Sequence, residues 1–558
     1  MIWNSLTKIF FLESSTGYLA LFIAFSFVLL SYFINVWLNL LKRVHSLPGL
    51  KLKCYHVLGH ATILFSHRFK KRFKKMGIVS SHVRDFEVMC GHHHLFSHEG
   101  LSSTWYLFHE ITIFKADVVE LILNSSKEIK KAWFYKFIEP WLGRGVLTSY
   151  DEKWKIRRKL LTPALHFSVL KEYLPIRNKH GRIIRDNLST STEEEFINIY
   201  PLMGRSSFNI ISECAFDKES QTKSQDLYLS KIHELTSSVF ERIHRSLHWI
   251  DFIYYRSSAG KAFSKALEVT RDLTNKIIFQ KIKERKENKQ NAIPVNEDSL
   301  HKHTQSQLQK SAFMDLLVEE HLKNNSLSEN DIRQEVDSFV FAGHDTTSVT
   351  MSWCLWMIGL HPWIQDKIHE ELDIIFGEDD RESTVEDLNN MKYLECVVKE
   401  TMRLYPPVPI IAREIRNDIQ YGKYTIPKDS TCVVYAYVLH RDPDVFPDPE
   451  RFDPERFTAE NSAGRNPFAY VPFSAGPRNC LGQRFAMLEI KILLSSILRR
   501  YKMRSLDPRD KVHTLAEMVL RPSNGLRIQV RRRDQSFDFH SVYYRPPEES
   551  LVSQLKIT

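Results

Sequence analysis

One cysteine in this chain sits where a thiolate could be held. The segment Phe473-Ser474-Ala475-Gly476-Pro477-Arg478-Asn479-Cys480-Leu481-Gly482 runs straight into a stretch with helical periodicity. A thiolate that binds a metal must keep its negative charge without taking up a proton. Backbone N–H groups at a helix N-terminus, and the positive end of the helix dipole, hold such a charge. Gly476 permits a tight turn and Gly482 a close backbone approach. Phe473 shields the sulfur from water, and Arg478 adds a cation that can pair with an anionic group. The remaining cysteines, Cys54, Cys90, Cys214, Cys354, Cys396 and Cys432, are widely spaced, with no C-x-x-C pair in the total of seven. They read as buried thiols in a reducing compartment rather than as a disulfide framework.

The cysteine segment fits F-x-x-G-x-R-x-C-x-G and resembles the cysteine signature of cytochromes P450. That resemblance implies haem b as cofactor, Cys480 as the axial ligand of its iron, and Arg478 beside a haem propionate. Other motifs fall in family order. Glu400-Thr401-Met402-Arg403 resembles E-x-x-R, whose two charged residues share a helix face. The resemblance adds Arg456, in Phe452-Asp453-Pro454-Glu455-Arg456-Phe457, as third member of a brace that is structural rather than catalytic. Ala342-Gly343-His344-Asp345-Thr346-Thr347 resembles the oxygen-activation motif. Small Ala342 and Gly343 would leave room over the iron, and Thr346 with Asp345 as acid partner would relay protons. Without the cysteine, those Thr hydroxyls would read simply as bonded back to the preceding turn. Trp154-Lys155-Ile156-Arg157-Arg158 resembles the W-x-x-x-R helix, putting Trp154 and Arg158 beside a propionate; Arg413, after Pro406-Pro407-Val408-Pro409, joins them. Ala342, Val408 and Ile410 are candidates for the substrate pocket.

The resemblance covers roughly residues 47–531. Pro140-Trp141-Leu142-Gly143, Gly343-His344-Asp345-Thr346-Thr347 and Leu520-Arg521-Pro522 are similar to family 4, whose members ω-hydroxylate fatty acids and related lipids. Many of those members carry Glu where this chain has Ala342, and that Glu can form an ester to the haem. Haem bound non-covalently is therefore expected here.

The elements that must position these residues read mainly as α-helix with small β-sheets. Helical spacing predicts helices over 332–359, 363–376, 385–404 and 483–501, and strands over 424–426, 431–437 and 526–530. No βαβ alternation and no G-x-G-x-x-G after a strand is present, so a nicotinamide or flavin domain is not encoded. Residues 14–41 carry no charge. At about 1.5 Å per residue the run can cross a bilayer core of about 30 Å. Lys42 and Arg43 follow it directly, which places the following side in the cytoplasm. Residues 1–45 thus read as a membrane anchor, 46–533 as the haem-thiolate domain and 534–558 as a flexible tail. The stretches 79–103, with His92, His93, His94 and His98, and 281–310 read as surface insertions. The chain has 558 residues and a formal net charge of +10, spread along its length without a nucleic-acid-binding motif.

The expected protein is a single-pass endoplasmic reticulum enzyme that hydroxylates a hydrophobic substrate with O2. Electrons would come from NADPH-cytochrome P450 reductase, with cytochrome b5 as an additional donor, and no nucleic acid is involved. Two alternatives stay open on residues alone: a haem-thiolate isomerase or lyase, and a non-catalytic membrane haem protein.

Overall fold

The computed structural model describes residues 15–48, 99–105, 109–216, 222–291, 313–324 and 326–537. The His92–His98 tract, the second half of the 281–310 insertion and the tail beyond 537 lie outside them. The described chain is mainly helical, with four small sheets.

Its spine is the 32-residue helix Glu329–Leu360, for which the sequence predicts 332–359. A capping box starts it: the Ser328 hydroxyl accepts from the Asp331 amide while Asp331 accepts from the Ser328 amide. The apolar residues alternate with small and hydroxylated ones on all sides, so the helix can be buried throughout. In chain order the helices used below are α1 (Ser15–His45), α2 (Ala116–Leu123), α3 (Asp151–Leu161), α4 (Leu174–Ser189), α5 (Ile199–Phe216), α6 (Thr222–His244), α7 (Asp251–Arg256), α8 (Ser258–Asn291), α9 (Phe313–Asn324), α10 (the spine), α11 (Pro362–Phe376), α12 (Lys392–Leu404) and α13 (Gln483–Leu498). Helices α5, α8, α12 and α13 all pack on α10 and share its apolar core.

The largest sheet orders β1 (Leu101–Trp105), β2 (His109–Ile113), β4 (Ile410–Glu414) and β7 (Thr431–Tyr435) as β1-β2-β7-β4. Only the β2–β7 pair is parallel. Every residue of β7 is buried, as a continuous β-branched and aromatic strand covered on both faces should be. A second sheet joins β3 (Ile197–Asn198), β8 (Tyr501–Ser505) and β11 (Arg527–Arg532) antiparallel, and two antiparallel pairs complete the set, β5 (Ile419–Tyr421) with β6 (Tyr424–Ile426) and β9 (Thr514–Ala516) with β10 (Leu520–Pro522).

Some boundaries differ from the sequence reading. The helix expected over 385–404 is two helices, split where Met391 leaves helical geometry at φ −71°, ψ 72°. The strand expected over 431–437 stops at Tyr435 and turns into a short helix, Ala436–Leu439. Residues 281–291, expected in a flexible connection, continue α8 as helix. Ile282 is buried there, and Lys281 pairs with Asp315 of α9, which holds the helix onto its neighbour.

Helix α1 has 31 residues and exposes Phe22, Ile23, Phe25, Phe27, Val28, Leu30, Tyr32, Phe33 and Ile34. Among the described residues no helix is long and apolar enough to cross a membrane, so the expected span rests on the sequence.

The turn that delivers Cys480 is locked by backbone geometry. Gly476 has φ +66°, and a Cβ there would lie 2.0 Å from the Leu123 carbonyl oxygen at the end of α2. Positive φ and close approach together demand glycine. Replacing Gly476→Ala is expected to cost about 3 kcal/mol or more of stability. Chemical denaturation of the purified protein measures this; a loss below about 1 kcal/mol would contradict the assignment.

Candidate functional site

Cys480 ends the turn, three residues before α13 starts. Its amide donates to the Phe473 carbonyl at 2.8 Å, closing the loop. The Cys480 side chain is accessible, yet protein crowds around it and burial pushes its thiol pKa up. The Gly482 amide and the Arg158 guanidinium act in the opposite direction, as an anion-holding helix start should. Phe473 is half-buried beside it. A Cβ on Gly482 would meet only the Cys480 sulfur, at 4.0 Å, an ordinary contact.

Four cations gather near this turn. Arg478 donates to the carbonyls of Ser149 (2.7 Å) and Leu147 (3.1 Å), and its guanidinium lies 4.8 Å from the centre of the Trp154 ring. Burial and the neighbouring Arg413 bring its pKa down to about 9. Arg413, on β4, is 2% exposed; one nitrogen donates to the Ala412 carbonyl at 3.0 Å, and Nη2 has no hydrogen-bond partner among the described residues. Burial lowers the pKa of Lys131 well below its usual value, and Arg413 and Arg478 lower it further. Arg158 of α3 clasps Asn479 through two bonds, 2.8 Å to its carbonyl and 2.7 Å to its side chain. Thus Trp154, Arg158, Arg413 and Arg478 are brought together near this turn, with Arg158 spent on holding the turn itself. Lys131 is an addition; it lies in a run of charged residues, Lys127-Glu128-Ile129-Lys130-Lys131, with no motif to mark it.

These cations repel one another, and an orphaned guanidinium nitrogen is buried among them. Such a cradle suits a ligand with two carboxylates. The propionates of a haem whose iron meets Cys480 fit that demand, so the residues present fit the cofactor.

The brace is formed. Arg403 and Glu400 are both fully buried and make two parallel bonds of 2.7 and 2.8 Å. Arg403 also donates to the carbonyls of His440, Pro449 and Arg451, and the Asp453 amide donates to Glu400 at 2.8 Å. Arg456 is a weaker member: it comes within 3.6 Å of Glu400 without a hydrogen bond, and donates instead to the Asp448 carbonyl. Truncating Glu400→Ala leaves Arg403 charged and unpaired, with an expected loss of about 3–5 kcal/mol. Thermal unfolding that is unchanged in this variant would show that the pair does not brace the fold.

Helix α10 departs from expectation in two ways. Gly343 does not open space at the site: a Cβ on it would strike Ile211 of α5 at 2.7 Å, so its smallness serves helix packing. Ala342 is the accessible small residue, and Thr346 one turn on is half-buried. Asp345 and Thr346 do not form a hydrogen-bonded pair. The Thr346 hydroxyl donates back to the Ala342 carbonyl at 2.7 Å. The Asp345 carboxylate, 1% exposed, accepts from Arg521 of β10 (Leu520–Pro522) at 2.6 Å. Neighbouring residues on a helix diverge by about 100°, which sends the two side chains to different sectors. Burial acts to raise the Asp345 pKa, but Arg521, His344 and His233 outweigh it and hold it below the usual carboxylate value. Arg521 was visible in sequence only as part of a family-like tripeptide. Val408 and Ile410 are half-buried.

Removing cationic charge gives opposite effects with and without the cofactor. Arg413→Met is expected to stabilise the haem-free protein and to weaken haem retention about tenfold or more. Haem transfer to apomyoglobin, alongside unfolding of the apoprotein, tests both; unaltered haem loss would remove Arg413 from the propionate cradle.

Comparison with known proteins agrees with this chemistry. The family model described as Cytochrome P450 matches residues 81–530. The chain is 42% identical to cytochrome P450 4V2 of Homo sapiens over 430 residues, covering 76% of this chain and 80% of that protein. It is 38% identical to cytochrome P450 4c3 of Drosophila melanogaster over 433 residues, with 76% and 80% covered. It is also 34% identical to cytochrome P450 4c21 of Blattella germanica over 434 residues, with 77% and 85% covered.

Proposed function

Because this chain belongs to the cytochrome P450 family, and is therefore a haem-thiolate monooxygenase, we propose that it hydroxylates lipid-like substrates such as fatty acids at the cytoplasmic face of the endoplasmic reticulum membrane. The observation that carries the reading is the meeting of the Cys480 turn with a cradle of cations, one of which buries a guanidinium nitrogen that has no partner among the described residues.

Cys480 is the proposed iron ligand, with Phe473 limiting water at the sulfur. Arg413, Arg478 and Lys131 hold the propionates, Trp154 packs on Arg478, and Arg158 keeps the cysteine turn in place. Bound in this way, haem supplies the iron centre at which dioxygen is reduced and one oxygen atom is inserted into substrate. Ala342 has no side-chain carboxyl, so haem is held without an ester bond from this position. Ala342, Val408 and Ile410 offer apolar surface to substrate. Thr346 presents a hydroxyl for proton transfer once its bond to the Ala342 carbonyl is exchanged. Asp345, kept ionised by Arg521, contributes negative charge behind it.

Electrons come from NADPH-cytochrome P450 reductase, with cytochrome b5 as a further donor, because the described fold contains no dinucleotide-binding unit of its own. The membrane assignment is supported by α1, apolar on every side over 22–34, which suits lipid better than an amphipathic surface. Leu247, Ile250, Phe252 and Ile253, exposed around the start of α7, add a second apolar patch able to rest on the bilayer.

Reconstituted with reductase, NADPH and O2, the enzyme is expected to convert dodecanoic acid to a hydroxy acid, and Cys480→Ala to lose both this activity and the thiolate-type ferrous–CO spectrum. Turnover under argon without reductase would instead indicate an isomerase or lyase.

A further inference from the structure

We propose that Lys131 couples cofactor loading to proton uptake: it is a neutral amine in the haem-free protein and takes on a proton as the two propionates of haem arrive. This rests on the haem reading above and goes beyond it, because it makes the strength of cofactor binding depend on pH.

The geometry crowds like charges. Lys131 and Arg413 are cross-strand partners in an antiparallel bridge, and beside it the Glu414 amide donates to the Lys130 carbonyl at 3.1 Å. Residues directly opposed in this way send their side chains to one face, with Cβ atoms about 4.5–5.5 Å apart, and like charges there repel. Arg478 joins them from the cysteine turn, where the carbonyls of Ser149 and Leu147 hold it. Arg158 adds a further positive charge beside Arg478. Lys131 Nζ lies 5.0 Å from the centre of the Tyr135 ring.

The carboxylates of the packed elements are engaged elsewhere. Glu414, next to Arg413 on β4, pairs with Lys130 at 2.5 Å. Glu128 accepts from the Arg416 amide at 2.6 Å and from Asn417 at 3.0 Å. Asp151, at the start of α3, is held by both terminal nitrogens of Arg416. Glu110 of β2 takes the Tyr435 hydroxyl at 3.4 Å. Burial pushes the Tyr135 phenol up, so it brings no negative charge at neutral pH. Among the described residues no carboxylate offsets the charge of Lys131, Arg413 or Arg478.

Three cations in one dry space are costly, and one of them can yield. A guanidinium keeps its delocalised charge, whereas a buried lysine sheds its proton readily. Burial first, then Arg413 and Arg478, lower Lys131 well below the ordinary lysine value. Arg478, brought down to about 9, stays charged through neutral pH. Two propionates reverse the field at Lys131: they offset both guanidinium charges and give Nζ acceptors. One N–H bond then forms at Nζ, with the proton drawn from solvent, and it breaks again when haem leaves. Binding that takes up a proton weakens as pH rises. The window opens at the lowered proton affinity of the haem-free site and closes at the raised one of the loaded site.

Haem loss from the full-length loaded enzyme to excess apomyoglobin, followed between about pH 7 and about pH 9.5, tests the coupling in wild type, Lys131→Arg and Lys131→Met. Arginine stays charged throughout, and methionine keeps much of the length without charge. The thiolate-type ferrous–CO spectrum reports that each variant keeps the cysteine site. Wild-type loss should quicken with pH by up to about tenfold per unit. Lys131→Arg should be slow and lack this slope. Lys131→Met should already be fast near pH 7, with wild type converging on it as pH rises. In weakly buffered solution near pH 8, a pH indicator should record about one proton more per haem released from wild type than from either variant. Protons exchanged by Cys480 and by apomyoglobin are common to all three and cancel. A flat wild-type profile, a slope that persists in Lys131→Arg, or equal proton counts in all three overturns the coupling. Purified wild type without a haem Soret band overturns the haem reading and the coupling with it, whereas the other failures leave that band in place.

Discussion

The interior of this protein holds positive charge that its own carboxylates do not neutralise. Arg413 lowers the proton affinity of Arg478, both lower that of Lys131, and Arg413 Nη2 is buried with no hydrogen-bond partner among the described residues. An isolated buried charge costs several kcal/mol even after relaxation. The fold bears that cost because α3, the cysteine turn and β4 are tied by other means: Arg158 to Asn479, Arg478 to Ser149, and β4 to β7. A dianionic ligand relieves the strain at once. Cofactor binding and stability are therefore linked: the ligand that completes the chemistry also completes the charge balance.

The contrast with Glu400 and Arg403 shows how selectively the fold leaves charge open. There a guanidinium meets a carboxylate edge to edge, and three carbonyls take the remaining N–H groups. Nothing is left over for a ligand. One buried arginine closes the scaffold, and others a short distance along the chain are kept available. The difference lies in whether a carboxylate was placed opposite, and the sequence encodes it as E-x-x-R in one case and as lone basic residues in the other.

Much of this could be read from residues alone. Helix α10 and the thiolate turn were legible because strong periodicity and a glycine-punctuated motif are local signals. The brace was legible because Glu400 and Arg403 sit three apart on one helix. What escaped was direction and partnership across the fold. Gly343 looked like room for a ligand but faces Ile211, since which sector of a helix meets which neighbour is a tertiary fact. Asp345 and Thr346 looked like a pair because they are adjacent in sequence, which on a helix is what separates them. Lys131, Ser207 and Arg521 carry no spacing signal; each gains its meaning from a residue more than a hundred positions away, or from an element folded onto it. The split at Met391 and the early end of β7 are of the same kind, boundaries set by packing rather than propensity.

Helix α10 thus presents different chemistry at each step of its rotation. Ala342 and Thr346 face the accessible side, Asp345 points to Arg521, and Thr347 joins Ser207 and Glu489. Two carboxyl groups flank one helical turn, and their environments push them apart. Asp345 meets a guanidinium and is held below the usual carboxylate value, while burial pushes Glu489 up to about 7. Divergent proton affinities at one site are what separates a group that donates from a group that only sets the field. One turn of α10 is thereby flanked by two carboxyl groups of opposite electrostatic character, one held charged by a guanidinium and one pushed towards neutrality by burial.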